Sequence, residues 1–212
     1  MLLGVMLLWV GAVLVVNGIW LVGQARAAQF ETAPAARGDA TGTAPVAGAG
    51  VSVEAHPTFI QAREVAVINI FTGFVGVVVC ITLIVQGNAA GDLASVRAAG
   101  FVFLFAFTYL WVAFNAFLDA GGRAFGWFCL FVAITAVPAG IYVLKDAAGE
   151  TFNIWLGLSW FAWSGLWFLF FLLLALDRPI GRLAGWSAIL VGTATAWVFG
   201  FLILEGTVKL PG

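Results

Sequence analysis

Six stretches of about twenty residues contain no aspartate, glutamate, lysine, arginine or histidine: 2–23, 65–86, 98–118, 125–144, 154–176 and 183–204. A helix rises about 1.5 Å per residue, so each stretch can cross the roughly 30 Å hydrocarbon layer of a bilayer. None shows the strict alternation of a barrel strand. With no water at that depth, a spanning segment must bond its own peptide groups, which a helix does. The sequence therefore predicts an all-α, polytopic membrane protein of six transmembrane helices arranged as three consecutive helical hairpins. Only 9% of the chain is charged against 63% hydrophobic, too little charge for a soluble surface. The first stretch has no basic n-region and no clear small-residue cleavage site, and is read as a retained helix.

Four of the five connections are short, so the 212 residues form a single six-helix membrane domain. The remaining connection, 24–64, is rich in Ala, Gly, Pro and Thr and reads as a long mobile loop within it. Its His56, the one histidine of the chain, is expected to be solvated. Arg26, Arg37, Arg63, Arg123, Arg178 and Arg182 follow spans one, three and five, whereas the opposite side carries Arg97, Lys145 and Lys209. The positive-inside rule then places the first set in the cytoplasm and the N- and C-termini on the outer side of the membrane. A net charge of −1 argues against nucleic acid or anionic lipid as the main partner.

The absence of charge in the spans also excludes functions. Proton relays, ion sites and voltage sensors rest on intramembrane ionisable groups, so a coupled transporter or pump is disfavoured. No lysine is placed to carry a retinal Schiff base and no histidine to hold a haem; no cofactor and no metal is expected. Nothing resembles a phosphate-cradling glycine loop or a nucleophile with its base, and the chain reads as no enzyme. Cys80 and Cys129 lie in apolar runs and read as buried thiols.

Uncharged polar groups remain. Asn17, Asn69 and Asn115 fall near the cytoplasmic ends of the first three spans at similar depth. Their amides match the hydrogen-bonding pattern of urea or an amide, or else tie helices together; three at one level leave both readings open. Counting back from Asn17 by helical steps gives an aliphatic stripe of Leu14, Val10, Leu7 and Leu3. Trp163 and Trp167 lie too deep for an interfacial belt, share a face with Trp160, and sit at the depth of Tyr109 and Phe105. Indole N–H and phenol O–H groups need partners that lipid does not supply. Either the rings pack between helices, or they form a narrow slot for a small, flat, uncharged solute.

Taken together, "LLWVGAVLVVNGI", "AVINIFTGF", "FAFTYLWVAFN", "FCLFVAITAVPAGI", "SWFAWSGLWFL" and "GTATAW", one per span and in order, resemble the urea/amide channel family (AmiS/UreI). The resemblance omits the 24–64 loop, which reads as an insertion. It implies a bacterial inner-membrane channel with a pore in each protomer of a homohexamer, membrane lipid as surroundings, and a cytoplasmic amidase or urease as functional partner. It places the pore lining on Leu3, Leu7, Val10, Leu14, Asn17, Phe105, Tyr109, Trp160, Trp163, Leu166 and Trp167. The short "GNAAGDLASVR" connection lacks the histidines of acid-gated members, and Val191 stands where some members carry a glutamate. Both point to an amide or urea channel without acid gating. The competing reading is a non-transporting scaffold that anchors a cytoplasmic partner through the long loop.

Overall fold

The computed structural model describes residues 1–32 and 60–208. Within them the chain is helical, and six helices are long and apolar enough to cross a membrane. They are α1 (Leu2–Thr32), α2 (Ala62–Ala90), α3 (Leu93–Leu118), α4 (Arg123–Lys145), α5 (Thr151–Leu174) and a sixth span, Gly181–Leu204. The sixth is composite: α6 (Gly181–Val191), a π-helical turn (Gly192–Trp197) and α7 (Val198–Leu204).

The connection expected over 24–64 is shorter than its composition suggested. Residues 24–32 continue α1, since alanine, glutamine and arginine favour helix once one is nucleated. At the far side, Gln61 and Glu64 form a reciprocal capping box that starts α2, with the Gln61 N–H donating to Glu64 Oε2 at 2.8 Å. His56, Arg37 and the rest of residues 33–59 lie outside the described residues, as does Lys209 after the sixth span.

Three antiparallel helix pairs are present, offset by one from consecutive hairpins. The most extensive contacts join α2 to α3, α4 to α5, and α1 to the sixth span, which closes the ring. A two-residue turn makes the first pair. Gly91 caps α2 at φ 68°, a left-handed conformation glycine adopts freely, and Asp92 caps α3 by accepting from Ala94 N and Ser95 N. The Ser95 hydroxyl and N–H hold the exposed Asp92 carboxyl below the usual carboxylate range. Gly73 and Gly76 let the two backbones meet: a Cβ at either would lie 2.6–2.7 Å from Leu110 or Ala106. In the second pair the Ser164 hydroxyl donates to the Ala133 carbonyl across the interface at 2.8 Å.

The end of the bundle carrying the arginines is laced by two ion pairs, Arg63–Asp119 at 3.6 Å and Arg123–Asp177 at 2.6 Å. Both are well exposed, so each contributes little, about 0–1 kcal/mol. Cys80 and Cys129 are free thiols and fully buried.

Candidate functional site: a one-ended cavity above an aromatic plug

At the arginine-rich end a cavity of about 480 Å³ opens between α1, α3 and α5 and the first turns of α2 and α4. Ala62, Asp119, Ala120 and Gly122 stand at its rim; Trp20, Leu21, Val112, Asn115 and Phe170 line its wall. Toward mid-membrane it narrows onto Leu14, Phe105, Tyr109, Trp163, Leu166 and Trp167. Helical spacing puts these groups there. Leu14, Asn17 and Leu21 lie three and four apart, as do Phe105, Tyr109 and Val112, and Trp163, Leu166, Trp167 and Phe170.

Phe105 closes the floor. Its ring meets Trp160, Trp163 and Trp167 edge-on, at centroid distances of 5.6, 5.1 and 4.5 Å. Beyond the Phe105 ring, toward the N-terminal end, Leu7, Val10 and Trp160 are buried in side-chain packing. The cavity therefore ends at an aromatic plug, and the helix faces beyond it are pressed together.

Of the sequence-predicted residues, the structure brings Leu14, Asn17, Phe105, Tyr109, Asn115, Trp163, Leu166 and Trp167 to this cavity. Leu7, Val10 and Trp160 lie past the plug in the same packed cluster, with Leu3 against its outer edge. Asn69 is elsewhere: it is fully buried and pairs with Asn17. The two amides bond reciprocally, Asn17 Nδ2 to Asn69 Oδ1 at 3.1 Å and Asn69 Nδ2 to Asn17 Oδ1 at 2.8 Å. Asn69 Nδ2 also donates to the Val65 carbonyl at 2.8 Å. This pair ties α1 to α2, so the three asparagines are not one solute-facing layer. Thr108 back-bonds its own helix at Leu104 O, 2.7 Å away. The Asn115 side chain makes no hydrogen bond among the described residues.

Removing one member of the amide pair strands the other in an apolar site. Asn17→Ala and Asn69→Ala are each expected to cost about 1–2 kcal/mol, and the double variant little more than either alone. Unfolding in mixed micelles measures this; fully additive losses would show that the amides are not coupled.

The sequence reading passed over Thr195. The Trp163 indole N–H donates to Thr195 Oγ1 at 2.8 Å, and the Thr195 hydroxyl donates in turn to the Val191 carbonyl at 2.6 Å. Trp160, Trp167 and Tyr109 have no such partner among the described residues. The Trp20 and Trp155 indoles and the Ser159 hydroxyl are buried without partners there.

A family model for AmiS/UreI family transporters matches residues 55–207, five of the six spans. The chain belongs to this family. Relatives extend the likeness over α1. A provisionally assigned amidate-substrate transporter of Mycolicibacterium smegmatis is 35% identical over 96% of this chain and 76% of its own. The acid-activated urea channel of Helicobacter pylori strain J99 is 31% identical over 69% of this chain and 86% of its own. In structure, the chain resembles the crystallised urea channel of Helicobacter pylori with a TM-score of 0.73 at 27% identity, covering 99% of this chain and 100% of that one. It matches the closed-state structure of that channel at 0.71 and 29%, covering 98% of this chain and 100% of that one. These AmiS/UreI relatives are transporters and channels, not enzymes, and this chain is a multi-pass membrane transport protein of their kind.

Proposed function

We propose that this AmiS/UreI protein is a passive, uncoupled channel for urea and short-chain amides in the bacterial inner membrane. One observation carries the reading: a mainly apolar cavity offers the Trp167 N–H, the Tyr109 O–H and the Asn115 amide, none of them bonded within the described protein. A planar amide matches that set. Its carbonyl accepts from the indole and phenol, its NH₂ donates to an amide oxygen, and its flat face fits between rings. An ion finds nothing there to replace its hydration. Asp119, the one carboxylate lining the cavity among the described residues, sits at the rim against Arg63.

The remaining parts of the proposal follow from charge and kinship. The arginine-rich end faces the cytoplasm and both termini lie outside. The pore runs on from the cavity past Trp160, Val10, Leu7 and Leu3, so the plug must part for passage. The protein acts as a single channel domain in which the connection between the first two spans is an insertion. It assembles as a homohexamer, as the family resemblance implies, and a cytoplasmic amidase or urease consumes the solute and holds its gradient.

Stopped-flow light scattering on proteoliposomes tests this with urea, acetamide and glycerol. Re-swelling with urea or acetamide should be faster than in protein-free vesicles, and with glycerol nearly unchanged. Folded protein with no faster re-swelling would favour the scaffold reading. Tyr109→Phe keeps the ring and removes one hydrogen-bonding group. Its amide permeability should fall about two- to tenfold, as a net hydrogen bond of roughly 0.5–1.5 kcal/mol requires. No change would remove Tyr109 from the pathway.

A further inference from the structure

The three indoles around Phe105 are not equivalent. Trp163 is fixed by a hydrogen bond that it donates to another helix, whereas the N–H groups of Trp160 and Trp167 make none among the described residues. The residue that fixes it, Thr195, stands in the π-helical turn Gly192–Trp197, where backbone bonds reach five residues back, as from the Val198 N–H to Thr193 O. Such turns add a residue to a helix and redirect side chains, and they concentrate at functional sites. Because Thr195 spends its proton on Val191 O, its oxygen faces Trp163 as an acceptor only. The bond chain Trp163–Thr195–Val191 thus has one polarity and leaves the indole one orientation.

We propose that Thr195 is the positioning residue of the plug: it holds Trp163 as an immobile wall against which Phe105 seats. When Phe105 leaves, Trp163 stays in place, and the gap between them sets which solutes pass. Without the threonine oxygen the Trp163 N–H is buried unpaired and turns to another acceptor, and the gap loses its defined width. Selection by shape then weakens while the aromatic lining remains.

The selectivity part of this rests on the channel reading, so its test has one arm that does not. In protein labelled with 5-fluorotryptophan, the resonance missing from Trp163→Phe is that of Trp163. It should move in Thr195→Val and hold its position in Thr195→Ser, whether or not the protein transports anything. In proteoliposomes, the acetamide-to-glycerol permeability ratio of Thr195→Val should fall about fivefold, and that of Thr195→Ser stay within about twofold of wild type, as loss or retention of one net hydrogen bond implies. Should the valine variant fail to insert, Thr195→Ala removes the same oxygen without the branched methyls. An unmoved resonance, an unchanged ratio in folded variant, or a serine variant as impaired as valine each overturns the proposal. A moved resonance with wild-type flux no faster than bare vesicles defeats the channel reading and the selectivity role with it, leaving the hydrogen bond alone standing.

Discussion

Glycerol, which wild-type vesicles are expected to exclude, should pass Phe105→Ala vesicles at least about tenfold faster. The expectation comes from the rings that seat Phe105. It touches three indoles edge-on at 4.5–5.6 Å, and such contacts are worth about 0.5–1.5 kcal/mol each beyond their buried area. Together they hold the plug with roughly 1.5–4.5 kcal/mol, and each 1.4 kcal/mol is a factor of ten in an equilibrium. Alanine removes all three and leaves a gap between the cavity floor and the packed helices beyond. The same change costs about 3–5 kcal/mol of stability if the gap does not collapse, so thermal unfolding should accompany the flux measurement. Phe105→Leu separates the two effects. It keeps apolar volume and most of the packing, loses the aromatic edge contacts, and should fall between wild type and alanine in glycerol flux. A folded Phe105→Ala protein that still excludes glycerol would place the decisive barrier further on, at Leu7, Val10 and Trp160.

The spans were legible in the sequence because lipid enforces a simple rule: about twenty uncharged apolar residues and internally satisfied peptides. Their ends were less so. Hydropathy falls at Gly23, but the backbone has no reason to stop, and α1 runs on to Thr32 through good helix formers. The cavity floor was legible too, since Phe105 and Tyr109 on α3, and Trp163 and Trp167 on α5, repeat at helical spacing and lie too deep for a belt, while Leu166 came only from the family resemblance. What the sequence did not give up is which groups meet across helices. Asn17 and Asn115 look alike along the chain, yet one is locked to Asn69 and the other faces the cavity unbonded. Depth is a one-dimensional property that a sequence carries; partnership depends on helix order and rotation. The same limit hid the pairing of α1 with the sixth span and the meeting of Trp163 with Thr195, which are separated by 32 residues and a turn.

That α1 pairing supplies the second large effect: Gly11→Val should abolish recovery of folded protein or cost more than about 3 kcal/mol. A Cβ at Gly11 would lie 2.5 Å from the Trp197 backbone nitrogen and 2.6 Å from its Cα. Neither atom belongs to a flexible side-chain tip, so helices must separate to make room. The contact is one of a series. Gly4, Gly11 and Gly18 recur every seven residues on α1 and face Ile203, Trp197 and Gly185 in antiparallel order. On the sixth span the matching glycines are Gly185, Gly192 and Gly200, seven and then eight apart. Seven residues nearly close two helical turns, so an eighth would rotate Gly200 off the seam by most of a quarter turn in an α-helix. The π-helical turn lies between the two and absorbs the extra residue, which returns Gly200 to the backbone of Leu7 and Leu8. The widened turn that brings Thr195 to Trp163 is therefore compatible with close α1 packing only because glycine stands on both sides of it. Gly100→Ala is the control, because nothing lies within 4 Å of its Cβ position. It should leave the fold intact and gain up to about 1 kcal/mol from better helix propensity. Size-exclusion and thermal unfolding in detergent read both variants, and a Gly11→Val protein as stable as Gly100→Ala would mean that α1 and the sixth span do not meet at backbone distance.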